Sequence, residues 1–175
     1  MKTIKNLSFL AAFAALLIVA SCGSDDSDTP ESSATVTFDG KVYKKPSDDE
    51  IAFVEFSFNE ETSYSIGGDV VNGADTVNFS LNVPSLEVAT YTKSANGDEA
   101  SISITPSDES TYSTDIFGQD TDITDYEIKI TERNDKTVSG TFSATVQSFG
   151  DESTKEVSGE FVAIDFASFF GDLFN

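Results

Sequence analysis

Apolar and polar residues alternate along most of this chain with a period of two. In "DTVNFSLNV" Val77, Phe79, Leu81 and Val83 fall on one face, with Asn78, Ser80 and Asn82 between them. Such alternation sets one face of a strand against a core and the other in water. "EASISIT" does the same with Ala100, Ile102 and Ile104, and "DYEIKIT" with Tyr126, Ile128 and Ile130. "IAFVEFSF" (51–58) carries Ile51 and Phe53 on one face and Val54, Phe56 and Phe58 on the other, which predicts a strand buried on both sides. Turn-forming pairs separate the runs. Asp39-Gly40, between "ATVTF" and "KVYKK", signals a hairpin. Gly67-Gly68, Asn72-Gly73, Pro84-Ser85, Asn96-Gly97 and Asn134-Asp135 add further punctuation. Between 34 and 160 no stretch carries helical periodicity. The pattern predicts an all-β domain, a single antiparallel β-sandwich of about eight to ten strands. An eight-stranded lipocalin-like barrel around an apolar ligand is the alternative.

An internal echo supports a hairpin near the C-terminus. "VSGTFSA" (138–144) and "VSGEFVA" (157–163) agree at five of seven positions and lie 19 residues apart. That spacing fits two antiparallel strands joined by "SFGDESTKE". Val, Phe and Ala share a face in each strand, and Gly140 and Gly159 share it with them, where a missing side chain admits a close neighbour. The period is not sustained, so no solenoid is expected. After Asp165 the alternation stops. Phe166, Phe169, Phe170, Leu173 and Phe174 recur at helical spacing. They predict a short closing element over one mouth of the domain, with an exposed aromatic contact patch as the other reading.

The N-terminus follows a different rule. Lys2 and Lys5 precede an apolar run from Leu7 to Ala20, which at 14 residues is shorter than the ~20 a membrane-spanning helix needs. Residues 1–21 read as a targeting leader rather than as structure. The tetrapeptide Val19-Ala20-Ser21-Cys22 resembles the lipobox of bacterial lipoproteins. That resemblance implies cleavage between Ser21 and Cys22, diacylglycerol on the Cys22 sulfur and an acyl chain such as palmitate on the new amine. Several chains on one residue hold a protein stably on a membrane. Gly23 then favours the outer membrane. Ser24, Asp25, Asp26, Ser27 and Asp28 look like the export signal that carries flavobacterial lipoproteins to the cell surface. Residues 22–33 are also too polar to fold alone, so they form a flexible acidic tether ahead of a domain at 34–175.

Charge narrows the list of partners. The chain has 10 basic and 31 acidic residues; losing Lys2 and Lys5 with the leader leaves eight against 31, a net charge of −23. Nucleic acid is thereby excluded as a partner, as is docking through a basic patch on anionic lipid. The membrane is reached through the lipid on Cys22, and an extracellular glycan or protein remains as the ligand class. Cys22 is the only cysteine, so no disulfide supports the fold.

"PSLEVATYT" (84–92), "YEIKITERNDKTVSGTFSATV" (126–146) and "EVSGEFVAI" (156–164) resemble an uncharacterised lipoprotein domain family of the Bacteroidetes. Its members share a lipobox, a "P…TY" segment and a C-terminal "VSGTFS" hairpin. The likeness covers roughly residues 34–166. It implies a surface lipoprotein and carries no activity with it.

The residue inventory argues against an enzyme. Without histidine, and with the one thiol acylated, neither Ser-His-Asp nor Cys-His catalysis nor a His- or Cys-built zinc site can be assembled. Paired carboxylates could in principle hydrolyse glycosides. Tryptophan is absent, however, and sugar sites commonly stack rings on it. No cofactor is expected, apart from calcium as one candidate. Asp120, Asp122 and Asp125 in "GQDTDITDYE" have a spacing that could converge on that hard cation, giving a calcium-dependent glycan- or protein-binding module. In Asp75-Thr76-Val77, Thr76 resembles the acceptor of a three-residue O-glycosylation motif of the same bacteria.

Overall fold

The protein is described here from a computed structural model that covers residues 30–58, 61–93, 100–107, 111–115 and 126–167. Eleven strands are found among them. The first five are β1 (Ser33–Phe38), β2 (Lys41–Lys44), β3 (Ala52–Phe58), β4 (Glu61–Asn72) and β5 (Asp75–Val83). Next come β6 (Thr90–Thr92), β7 (Ser101–Pro106) and β8 (Tyr112–Ser113). Last are β9 (Tyr126–Arg133), β10 (Thr137–Ser148) and β11 (Thr154–Asp165). All-β is the observed class. Among the described residues no helix is long and apolar enough to cross a membrane.

Local chemistry sets the hairpins. Asp39 (φ 50) and Gly40 (φ 75) are both left-handed, the two-residue turn whose twist matches the flanking strands. Gly73 (φ 63) opens the β4–β5 turn, where Asn72 faces Asp75. The "VSG" echo forms one antiparallel pair, β10 with β11, in which Gly140 faces Phe161 and Phe142 faces Gly159. Each glycine thus lies beneath the phenylalanine ring of the opposite strand. A Cβ at Gly159 would stand 2.6 Å from the Phe142 ring, and one at Gly140 2.7 Å from the Phe161 ring.

The strands form one continuous sheet, in the order β2-β1-β11-β3-β4-β5-β7-β8-β10-β9-β6. It closes on itself because β10 also pairs with β11, which sets β3-β4-β5-β7 on one side of the core and β11-β10-β9 on the other. Their inner faces meet where Phe79 of β5 stacks on Phe142 of β10, with ring centroids 5.6 Å apart. Phe79, Leu81, Ile66, Ile102, Ile104, Ile128 and Ile130 are all sealed from solvent. Burying each such side chain contributes about 1.5–3 kcal/mol. With no disulfide available, this apolar burial is the main stabilising term. Three short pairings connect the two sides of this sheet. The two-residue β8 bonds β7 on one side and β10 on the other, and Lys44 of β2 meets Val71 of β4. At the third, β3 runs parallel to β11 for two pairs, Ile164 with Ala52 and Asp165 with Phe53.

The all-β expectation holds. Among the described residues there are eleven strands where about eight to ten were expected, because β6 and β8 are too short to show alternation. Three details need correction. The sheet is not wholly antiparallel, since β3 and β11 are parallel. Gly67-Gly68 is no turn; it lies within β4, where a Cβ on Gly67 would fall 2.2 Å from the backbone oxygen of Phe79. These glycines permit close strand approach instead of a reversal. Finally, β3 is not buried on both faces. Ile51 is sealed and Phe53 and Val54 are half-buried, but Glu55, Phe56 and Ser57 are exposed. The register accompanies this change: β11 pairs with β3 only at Ala52 and Phe53, and from there to Phe58 β3 is paired, among the described residues, with β4 alone.

The start of β1 and the end of β11 lie together on that side. Ser33 faces Val162 near the end of β11, so the chain enters close to where β11 finishes. The entry is fixed. The buried Ser32 hydroxyl accepts the N–H of Ile51 at 3.0 Å and donates to the Glu50 carboxylate.

Candidate functional site

Where β11 stops and β3 continues, a cleft opens. After Asp165 the chain turns out of the ladder. The Asp165 carboxylate accepts the N–H of Ala167 at 2.9 Å, as a residue capping a helical turn does, and the Asp165 amide donates to the Lys136 carbonyl at 3.0 Å. The wedge left between β3 and this turn measures about 720 Å³. Its volume lies in the range typical of ligand sites.

Each wall has a local cause. Phe53, Val54 and Glu55 come from the part of β3 that outruns its neighbour, with Tyr64 from the paired stretch of β4. Arg133, Asn134 and Asp135 come from the end of β9 and the turn into β10. Asn134 shapes that turn: its side-chain oxygen accepts the N–H groups of Lys136 at 2.9 Å and Thr137 at 2.8 Å. Its own N–H donates to the Thr137 carbonyl at 2.9 Å. Phe166, 44% exposed, closes the remaining side.

The cleft combines three aromatic rings with an acidic rim. Glu55, Asp135 and Asp165 stand against the single cation Arg133. The Tyr64 hydroxyl donates to the Glu55 carboxylate at 3.1 Å. Partial burial raises the Tyr64 pKa above its ordinary value; the hydrogen bond and the charge of Glu55 push the same way, while Arg133 pulls it down. Rings, carboxylates and an open strand edge suit recognition.

A smaller pocket of about 190 Å³ lies at the opposite end. Lys41 pairs with Asp75 at 3.4 Å and Lys155 with Asp39 at 3.7 Å. The Lys155 ammonium also sits over the Tyr112 ring at 4.6 Å and the Phe38 ring at 5.2 Å. Thr76 lines this pocket. It is half-buried, second in β5, faces Val71 across the ladder, and its carbonyl accepts the N–H of Ser107 at 3.1 Å. The sequence-predicted acceptor is therefore held in an ordered strand.

The other predicted site residues lie outside the described residues: Ser21 and Cys22, the run Ser24 to Asp28, and Asp120, Asp122 and Asp125. Among the described residues no group of three or more acidic side chains is placed to hold a metal ion. Of the C-terminal aromatic series only Phe166 is described. The cleft was not singled out from the sequence. Its one sequence signal is "AFVEF", an apolar stretch on both faces that reads as burial yet belongs to a strand whose Glu55 and Phe56 are exposed.

Comparison with known families finds one match: the family model of the domain of unknown function DUF6252 covers residues 52–165. No curated protein and no solved structure matches the chain.

Proposed function

We propose that this chain, which belongs to the DUF6252 family, is a lipid-anchored surface lipoprotein of a bacterial outer membrane of the Bacteroidetes type, with a binding or structural role and no enzymatic one. The observation that carries the reading is the placement of the only cysteine. Cys22 follows a 14-residue apolar run and a small-residue pair, and Ser/Asp-rich sequence comes directly after it. The arrangement of the domain is consistent with such an anchor. Its first strand begins at Ser33, eleven residues after Cys22, and its core uses no thiol. A tether of that length spans at most about 35–40 Å, enough to lift a small domain clear of the lipid headgroups. For the binding part of the role, the support is the aromatic, acid-rimmed cleft beside the exposed part of β3.

Cell fractionation and proteolysis of whole cells test this. The full chain should sediment with outer membranes and be digested by protease added to intact cells. Cys22→Ala should release it to a soluble or inner-membrane fraction. A Cys22→Ala chain that still fractionates with outer membranes would sink the anchor. A membrane-bound chain resistant to protease until the cells are opened would place it facing the periplasm.

A further inference from the structure

We infer that the outer edge of β3 is an acceptor for an extended peptide of a partner protein, which adds beside Val54–Phe58 as an extra strand and seats side chains in the cleft. The inference deepens the binding role proposed above and rests on it, but does not depend on the lipid anchor.

The geometry is that of a sheet with a strand position left open. On its outer side β3 is paired with β11 at Ala52 and Phe53 alone, and its backbone then continues to Phe58 without a ladder partner among the described residues. Exposed strand edges are normally protected by charged side chains, proline or a bulge. In Val54–Phe58 the one charge is Glu55, there is no proline, and the pairing with β4 is regular from Ala52 to Phe58, so an edge guarded by a single acid repels acidic strands and admits basic ones. Phe56 is 54% exposed there. Backbone pairing at an edge supplies affinity, while pockets for alternate side chains supply specificity. The cleft lies directly beside this edge and offers Phe53, Tyr64 and Phe166 as apolar contacts.

Charge selects the occupant. The rim carries Glu55, Asp135 and Asp165 against Arg133, on a chain of formal charge −21. A second copy would bring the same acids to the same edge and be repelled. A peptide alternating apolar residues with lysine or arginine is complementary. Five residues of edge, at about 3.3 Å each, accept a segment of about 16 Å.

The test uses the full chain in mild detergent and the peptide acetyl-Thr-Lys-Val-Lys-Val-Lys-Val-Thr-amide. Two comparison peptides carry the same sequence with alternate amides N-methylated, or glutamate in place of lysine. Binding is read by calorimetric titration, and the edge by hydrogen exchange at residues 55 and 57, whose N–H groups point away from β4 on the side of the Ile51 carbonyl that bonds β11. The lysine peptide should bind and slow that exchange. N-methylation should weaken it about tenfold or more by removing ladder bonds, and glutamate roughly fivefold to tenfold. Glu55→Lys, which leaves two acids against two cations on the rim, should largely remove the preference for the lysine peptide.

Equal binding of the N-methylated peptide would reduce the effect to attraction by an acidic surface and overturn the inference. So would absence of binding at millimolar peptide. Slow exchange at 55 and 57 in the dilute free protein would mean that another part of this chain occupies the edge and would overturn the inference. Protection that grows with protein concentration would assign the edge to a second copy. A ligand that protects another face would keep the binding role while sinking the β3 edge, and fractionation of the cells tests the anchor independently.

Discussion

Replacing Gly159 by alanine tests the packing of the β10–β11 pair. A Cβ at this position would lie 2.6 Å from the Cε1 and Cζ atoms of Phe142 and 2.8 Å from the backbone oxygen of Thr35. Alanine lowers the entropy of the unfolded chain relative to glycine, which alone would stabilise the fold by about 0.4–1 kcal/mol. Forcing a methyl group into filled space costs about 1–3 kcal/mol. Overpacking wins here because both sides are closed: Phe142 is 3% exposed and stacked on Phe79, and Thr35 is held in the β1–β11 ladder. Gly159→Ala should therefore lose about 1–2 kcal/mol, seen in urea unfolding as a lower midpoint at unchanged slope. Phe142→Leu removes the ring atoms that the methyl group would strike, although it is itself destabilising through loss of the Phe79 stack. The double variant should be less destabilised than the sum of the singles by about 1 kcal/mol, since only the Thr35 contact remains. A neutral or stabilising Gly159→Ala would refute the reasoning, as would strict additivity within the ~0.3–0.5 kcal/mol expected of independent sites.

Three further outcomes are expected. Spectrophotometric titration should find Tyr64 ionising above the ordinary ~10 of a tyrosine, and Glu55→Gln should bring it down. Because the pKa is raised on folding, its contribution to stability is present below the unfolded value and is lost as pH rises through the folded one. Asp151 is held below the usual carboxylate range first by the Ser153 hydroxyl at 2.7 Å, then by the Ser153 N–H at 3.1 Å and the Ser148 hydroxyl. Its contribution is therefore present above the unfolded value and lost as pH falls through the lowered one; carbon-detected NMR titration should show this, and Asp151→Asn should abolish it. Asn134→Ala strips two backbone N–H groups of their acceptor and should cost about 1–2 kcal/mol in thermal unfolding while loosening the cleft wall.

The sequence was most informative where one face alone is buried. Val77, Phe79, Leu81 and Val83 alternate because β5 has a core on one side and solvent on the other, and period two records that directly. Asp39-Gly40 was legible because its turn demands two left-handed residues. The "VSG" echo was legible as a hairpin, and the face shared by its glycines was correctly placed, since residue parity fixes it. Failure came where layer relations matter. The apolar stretch of β3 reads as doubly buried, and only the register shows that β11 leaves it after Phe53, with Phe56 exposed beyond. The cleft escaped for the same reason. Its residues come from positions near 54, 64, 134 and 166, and a groove created by a ladder that ends has no local pattern to reveal it. Gly67-Gly68 misled because a glycine pair serves a turn and a close strand contact equally well.

The claim that organises the account is the anchor at Cys22, and mass spectrometry of the N-terminal peptide from the protein isolated out of membranes tests it most directly. A peptide that begins at Cys22, heavier than its sequence by a diacylglyceryl group and an acyl chain, is the predicted result. A peptide that begins elsewhere, or one with an unmodified Cys22, would contradict the account.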